Sequence, residues 1–225
     1  MKTRRAVSAA IISLSAAAAV AASSGPKFLF VGNWGGGSDD EPTTKAEVAV
    51  ASGIRSVATQ LEADRVYLLG DNFYTQGVSS VDSTRFNETF EQVYTRDLFG
   101  DMPFYVVAGN HDWRGSVDAQ IAYSGVDPRW NFPSYYYGHN YSWVTADTGE
   151  TRSAEILLVD TVLPCGNSDV VDEFTGEWRS LPGSELHGPR SPELRARAEE
   201  QWAWLVERLS RSTADFLWVA GHFPI

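Results

Sequence analysis

Asp71 and Tyr74 define the chemistry open to this sequence. They stand three residues apart in Leu68-Leu69-Gly70-Asp71-Asn72-Phe73-Tyr74, where an apolar run ends in glycine and delivers a carboxylate and a phenol. A strand that stops there leaves both groups on a loop at its carboxyl end, where open α/β sheets hold ligands. Gly70 lets the backbone turn sharply. One Gly-Asp is an ordinary strand terminator, but the design recurs at Gly32-Asn33, Gly109-Asn110-His111 and Gly221-His222. Strand termination alone accounts neither for the histidines nor for the tyrosine. An Asp, a Tyr, two Asn and two His form a mixed oxygen and nitrogen set that suits iron, zinc or manganese better than magnesium or calcium.

Positioning these residues needs parallel strands. Lys27–Val31 and Arg65–Leu69 read as strands joined by a helix from Thr44 to Ala63 that opens on the capping box Thr44-Lys45-Ala46-Glu47. Such a βαβ unit makes the two strands parallel neighbours. Phe104–Ala108, Glu155–Val159 and Asp215–Ala220 read as further strands. A helix over Asp82–Leu98 puts Phe86, Phe90, Val93 and Tyr94 on one apolar face, and Gly115–Ser124 and Pro192–Arg211 read as two more helices. Residues 130–146 are β-prone, with a turn expected at Gly138–Asn140 and His139 in solvent. Asn167–Ser191 reads as a long surface loop holding His187, with the first tryptic cut expected at Arg179 or Arg190. A parallel sheet would then gather the site residues on one edge, and the fold class is α/β.

The 225 residues are 43% hydrophobic and 12% aromatic, enough for one core. The formal net charge of −11 argues against a nucleic-acid or anionic-membrane surface, and a phosphate-bearing substrate would need a local positive centre. Residues 1–24, with a basic start and an Ala-rich apolar run, read as a secretory signal peptide, so the expected destination is secreted or lysosomal/vacuolar, with no membrane span after its removal. The sequons at Asn87 and Asn140 fit that route, and Cys165 is the single cysteine.

The stretches Val31-Gly32-Asn33-Trp34-Gly35-Gly36, Gly70-Asp71-Asn72-Phe73-Tyr74, Gly109-Asn110-His111-Asp112 and Val219-Ala220-Gly221-His222-Phe223-Pro224 resemble the small, tartrate-resistant type of purple acid phosphatase within the metallophosphoesterase superfamily. Ala119–Tyr123, Arg129–Pro133 and Asp160-Thr161 followed by Cys165-Gly166-Asn167-Ser168 resemble it too. The resemblance runs from about residue 27 to 225, making residues 25–225 one domain. It implies a βαβ sandwich with helices on the outer faces and a secreted acid phosphatase that hydrolyses phosphate monoesters by attack of a metal-bound hydroxide. By the same resemblance Asp71 bridges two metals and Tyr74 binds iron(III) as tyrosinate. Asn110 and His222 bind the second metal, iron(II) or zinc(II), and His111 contacts the phosphate and helps protonate the leaving group. Two metals clamping the attacking and leaving oxygens would also supply the positive charge that an acidic protein lacks.

Three departures accompany the resemblance. The family has Asp where this chain has Asn33, a ferric ligand whose negative charge is lost here. The family also continues with further strands and a Gly-His-x-His motif, and with a partner for Cys165, none of which occurs in these 225 residues. The expectation is therefore a domain incomplete at its C-terminal end, with the C-terminal strands missing. The alternative reading is a degenerate, non-catalytic relative without its metals. A related phosphodiesterase or protein phosphatase would carry Asp-x-His in the first motif, which Gly32-Asn33-Trp34 is not. Substrate identity and oligomeric state are not written in the sequence.

Overall fold

A computed structural model describes residues 25–167, 169–171, 178–180 and 191–223. The signal-peptide reading of residues 1–24, His187, Arg190 and most of the 167–191 stretch lie outside the described residues.

Two sheets face one another. The first is wholly parallel, in the order β1 (Phe28–Val31), β2 (Arg65–Leu69), β3 (Phe104–Val107) and β4 (Trp130–Asn131). Val31 pairs with Leu68 and Leu69 with Val107, so the first three strands end almost level and their loops leave from one edge. The second sheet has β5 (Tyr137–Val144) antiparallel to β6 (Thr151–Leu158), and β9 (Phe216–Ala220) parallel to β6. The parallel-sheet expectation is therefore corrected at one point. His222 follows β9 and reaches the site from the second sheet, not from the edge shared by β1, β2 and β3. An apolar pattern specifies a strand but not the sheet it joins. A two-stranded piece, β7 (Asp169–Val171) and β8 (Trp178–Ser180), carries Arg179.

Strand alternation divides the core in two. Val66, Leu68, Phe104 and Val106 face the helical side with Ala51, Ile54, Phe86, Phe90, Tyr94 and Trp130. Tyr67 and Val107 face the other way and meet Ile156 and Leu158 between the sheets. On the helical side α1 (Lys45–Leu61) has the anticipated capping box: Glu47 N–H donates to Thr44 Oγ1 at 3.1 Å and Thr44 N–H to Glu47 Oε2 at 3.3 Å. The helix read over Asp82–Leu98 is instead broken. A π-helical turn spans Phe86–Glu91, and a short α2 follows at Arg96–Phe99. Its aromatic face is nonetheless core, with Phe86, Phe90, Val93 and Tyr94 all buried. A 3-10 turn at Asp112–Arg114 leads to α3 (Val117–Tyr123), and α4 (Val162–Cys165) follows β6. Over β6 lies α5 (Pro192–Arg211), capped by Ser191, with Gln201 and Arg208 bonded to Asp160 and Glu155.

Two further expectations fail at β5. The strand runs straight through Gly138–Asn140, pairing Gly138 with Leu157 and Asn140 with Glu155. His139 is half-buried and not a solvated turn residue. It lies between the sheets with Nδ1 3.2 Å from Tyr67 Oη and its ring 4.0 Å from that of Tyr105. Burial pushes its pKa down. Turn-forming residue types were overridden there by pairing with β6 and aromatic packing.

Two buried carboxylates outside the site make stability pH-dependent. Burial raises Glu47 from 4.5 to about 7, against the Thr44 amide and the Arg85 charge. Burial raises Asp160 from 3.8 to about 7, against donation from Trp113, Leu163 and Val162. An acid whose folded pKa lies above its unfolded one binds more protons when folded, so its stabilisation is complete below the unfolded value and fades as pH rises through the folded one. The thermal midpoint of the metal-free protein should therefore fall by several degrees from about pH 4.5 to about pH 7.5. Scanning calorimetry checks this, and Glu47→Gln with Asp160→Asn should make the slope shallower, with the part due to Asp112 remaining. A profile that rises with pH would contradict it.

Candidate metal centre

Three loops and one strand end converge on Asp71. Gly70 and Asp71 both have positive φ, +86° and +53°, and Asn33 has φ of +55°. Non-glycine residues held in this region mark a site where surrounding structure overrides local preference. Gly70 is required by conformation and contact, and Gly109 by contact alone. A Cβ on Gly109 would lie 2.4 Å from Asp71 N and Oδ1 and 2.9 Å from His222 Nε2, and one on Gly70 would lie 2.6 Å from Gly109 N. The β2 and β3 loops can close on one another only without side chains at these two positions.

The loops are tied by backbone bonds. Asn33 N–H donates to Gly70 C=O, Gly35 N–H to Asp71 C=O and Tyr74 N–H to Gly35 C=O, each at 3.1 Å. A buried carboxylate completes the tie. Asp112 accepts from Asn72 N–H at 3.1 Å, Gly109 N–H at 2.8 Å and Gln120 Nε2 at 2.9 Å. Burial raises its pKa to about 6, against those donors. Asn72 is also fully buried. It accepts from Trp34 Nε1 at 2.9 Å and donates to Val107 C=O at 2.9 Å and Gln120 Oε1 at 3.0 Å.

Asp71 is almost fully buried and its two oxygens face different groups. Tyr74 Oη donates to Oδ2 at 2.7 Å and lies 3.2 Å from Asn33 Oδ1. Oδ1 accepts from His111 N–H at 3.1 Å and lies 3.3 Å from His222 Nε2, which is itself 2.9 Å from Asn110 Oδ1. His222 Nδ1 is 2.8 Å from Leu69 C=O, an acceptor, so Nδ1 carries a hydrogen. In a neutral ring Nε2 then presents a lone pair to two oxygens that also present lone pairs. Such an arrangement calls for a proton or a cation among the three atoms. On the other side one phenolic proton serves two oxygens. The donor set thus fits cations on both sides of Asp71. Among the described residues no three of His, Cys, Asp and Glu gather at one point, because two of the oxygen donors here are amides and one a phenol.

His111 lies beside this set. Its Nδ1 is 2.7 Å from Thr75 C=O, its ring centroid is 4.5 Å from that of Tyr74, and Arg114 Nη1 donates to the same carbonyl at 3.0 Å. Every site residue singled out in the sequence, Asn33, Asp71, Tyr74, Asn110, His111 and His222, is therefore in one place. The bracing residues Asn72, Asp112 and Gln120 carry no chemical signal of their own in the sequence. Gln120 and Asp112 lie inside the quoted stretches, but a polar residue gives no periodic signal that it will be buried.

Comparisons with known proteins identify relatives of the chain. The family model for the calcineurin-like phosphoesterase matches residues 26–225. Tartrate-resistant acid phosphatase type 5 of Sus scrofa is 39% identical over 199 residues, covering 88% of this chain and 54% of that protein. Purple acid phosphatase 4 of Arabidopsis thaliana is 33% identical, covering 87% and 61%. The chain thus spans about half the length of the curated relatives it matches. A solved structure described as GAP50, the anchor in the inner membrane complex of Plasmodium, superposes with a TM-score of 0.66 at 21% identity, covering 89% of this chain and 56% of that one. At that identity the likeness speaks for the fold alone. The matching model, the relatives and the residues converging on Asp71 lead to one conclusion: the chain belongs to the calcineurin-like phosphoesterase family.

Proposed function

We propose that the protein is an acid phosphatase that hydrolyses phosphate monoesters at a dinuclear metal centre bridged by Asp71. The observation that carries this reading is the division of Asp71, with Oδ2 toward Tyr74 and Asn33 and Oδ1 toward His222 and Asn110. Tyr74, Asn33 and Asp71 would hold iron(III), and Asp71, Asn110 and His222 would hold iron(II) or zinc(II). When bound, such a pair supplies an acidified water and a positive clamp for phosphoryl oxygens. The chain's own residues do the rest. Leu69 C=O fixes the His222 tautomer, so Nε2 is the nitrogen offered. Thr75 C=O fixes the His111 ring, so Nε2, on the far side from that bond, is the atom that hands a proton to the leaving oxygen. Asp71 is nearly fully buried, so its charge is little screened by solvent. Entry through the secretory pathway, with residues 1–24 as signal, belongs to the same proposal. Among the described residues no helix is long and apolar enough to cross a membrane.

The test is hydrolysis of p-nitrophenyl phosphate by the full-length protein at acid pH, with metal analysis before and after chelation. Turnover that disappears on chelation and returns with iron supports the reading. An inert protein that binds no metal supports the second one, a relative without catalysis, which Asn33 favours because an amide carries no charge for iron(III). The two readings also differ at that residue. Asn33→Asp should raise iron(III) affinity by about tenfold or more. An unchanged affinity would remove Asn33 from the site.

A further inference from the structure

Arg85 lies outside the stretches that carry the resemblance, and the structure gives its guanidinium a full set of partners. Its side chain is buried, and all five N–H groups are used. Nε donates to Thr89 Oγ1 at 3.1 Å. Nη1 donates to Tyr74 C=O at 2.7 Å and to Asp39 Oδ1 at 2.9 Å. Nη2 donates to Gly37 C=O at 3.0 Å and to Gly35 C=O at 3.3 Å. Three of the five acceptors are therefore backbone carbonyls of the two loops that carry Asn33 and Tyr74. Thr89 Oγ1 in turn donates to Pro42 C=O at 2.8 Å, so the hydroxyl's lone pair is turned to the guanidinium. The site's own backbone ties join these loops through the Asn33 N–H to Gly70 C=O, Gly35 N–H to Asp71 C=O and Tyr74 N–H to Gly35 C=O bonds. Arg85 reinforces the last of these ties at Gly35 C=O and adds bonds of its own to the Tyr74 and Gly37 carbonyls.

The charge balance argues for a positional role. Only one acceptor, Asp39, is a carboxylate, and its side chain is 77% exposed, so the pair by itself contributes little. Burying a guanidinium is costly unless every donor is matched. Here the matching is made largely by backbone carbonyls around a glycine-rich loop, one of which, Gly35 C=O, also accepts from Tyr74 N–H. Lysine could not replace it, because an ammonium offers three donors from one atom, whereas the planar fork spans acceptors on two loops.

We propose that Arg85 is the positioning residue for the tyrosine side of the centre, a guanidinium clamp that holds the Asn33–Gly37 loop against Tyr74 before any metal arrives. This rests on the dinuclear reading only for its consequence at the metal; the clamp itself can be measured without metal. The experiment is amide hydrogen exchange on the metal-free full-length protein, with iron(III) binding and the visible spectrum as second readouts.

In Arg85→Lys, peptides covering residues 34–38 and 72–77 should exchange about tenfold faster, while β2 and β3 keep wild-type protection. Iron(III) affinity should fall by about 10- to 100-fold, the usual cost of losing a group that orients a ligand. Thr89→Val removes only the hydroxyl that orients Nε, and should give the same local pattern at smaller amplitude. It serves as the test if the lysine variant does not fold. Asp39→Asn should leave exchange in both loops within about twofold of wild type. Exchange that stays at wild-type rates in the two loops overturns the proposal. So does exchange that rises equally through β2 and β3, because Arg85 would then be a general support. An Asp39→Asn variant that matches Arg85→Lys also overturns it, since the ion pair and not the carbonyl clamp would be responsible. If wild type binds no iron but the local exchange pattern is found, the dinuclear reading fails and the clamp stands.

Discussion

Asp71→Asn should lower the rate of phosphate-ester hydrolysis by at least about 10³-fold, the scale of removing a preorganised electrostatic element from an active site. The substitution is nearly isosteric and leaves an oxygen in place. What it removes is the charge at the point where both groups of donors meet, with Tyr74 Oη at 2.7 Å on one side and His222 Nε2 at 3.3 Å on the other. The expected cost falls on kcat, with the metal content dropping from two toward none, since each side would keep only amides, a phenol and one imidazole. The fold should survive, because Asp71 Oδ1 accepts a single backbone bond, from His111, and the bracing is done by Asp112 and Asn72. Steady-state kinetics with metal analysis on the variant checks it. A variant that keeps two metals and turnover within tenfold of wild type would remove Asp71 from the bridging position.

Gly109→Ala should be nearly as damaging for activity and worse for stability. The added methyl would stand 2.4 Å from Asp71 N and Oδ1, against a backbone atom and a buried side chain that have little room to yield. Overpacking of this kind costs about 1–3 kcal/mol, and the loop must move to relieve it. Movement there separates the β2 and β3 loops and breaks the Gly109 N–H donation to Asp112 Oδ2 at 2.8 Å. The expected result is a thermal midpoint lowered by several degrees together with about a 100-fold loss of kcat, because misplacement by about an ångström is enough to cost that much. Gly53→Ala is the control. A Cβ there meets nothing within 4 Å, so neither quantity should fall. Equal stability for Gly109→Ala and wild type would show that the loops do not close as described.

Much of the site could be read from the sequence because its signals are local. An apolar run of four or five residues followed by Gly and a donor residue marks a strand end, and three of those ends fall level in one parallel sheet. The capping box at Thr44 and the proline-led start of α5 are equally local, and both helices are where the sequence puts them. What could not be read depends on contacts between distant segments. Nothing in Phe216–Ala220 says that it pairs with β6 instead of β1. Gly138–Asn140 has turn-forming residues, yet eight register pairs with β6 hold it straight. After Glu91 the chain leaves the helix and restarts at extended Thr95, whose side chain caps α2, while Phe86 and Phe90 pack on Trp130 at centroid distances of 5.8 and 5.0 Å. Arg85, Gln120 and Asp112 are polar in composition and central in the structure, a distinction that hydropathy cannot make.

On the proposed reading Asp71 would bridge two metals, with Tyr74 on the ferric side. The visible absorption spectrum of the purified full-length protein, taken with its metal stoichiometry, tests it most directly. A phenolate on iron(III) gives a charge-transfer band in the visible. The expected result is a coloured protein with two metals per chain, whose band is abolished by Tyr74→Phe while folding is retained. A colourless protein, or a band that survives Tyr74→Phe, would contradict the claim.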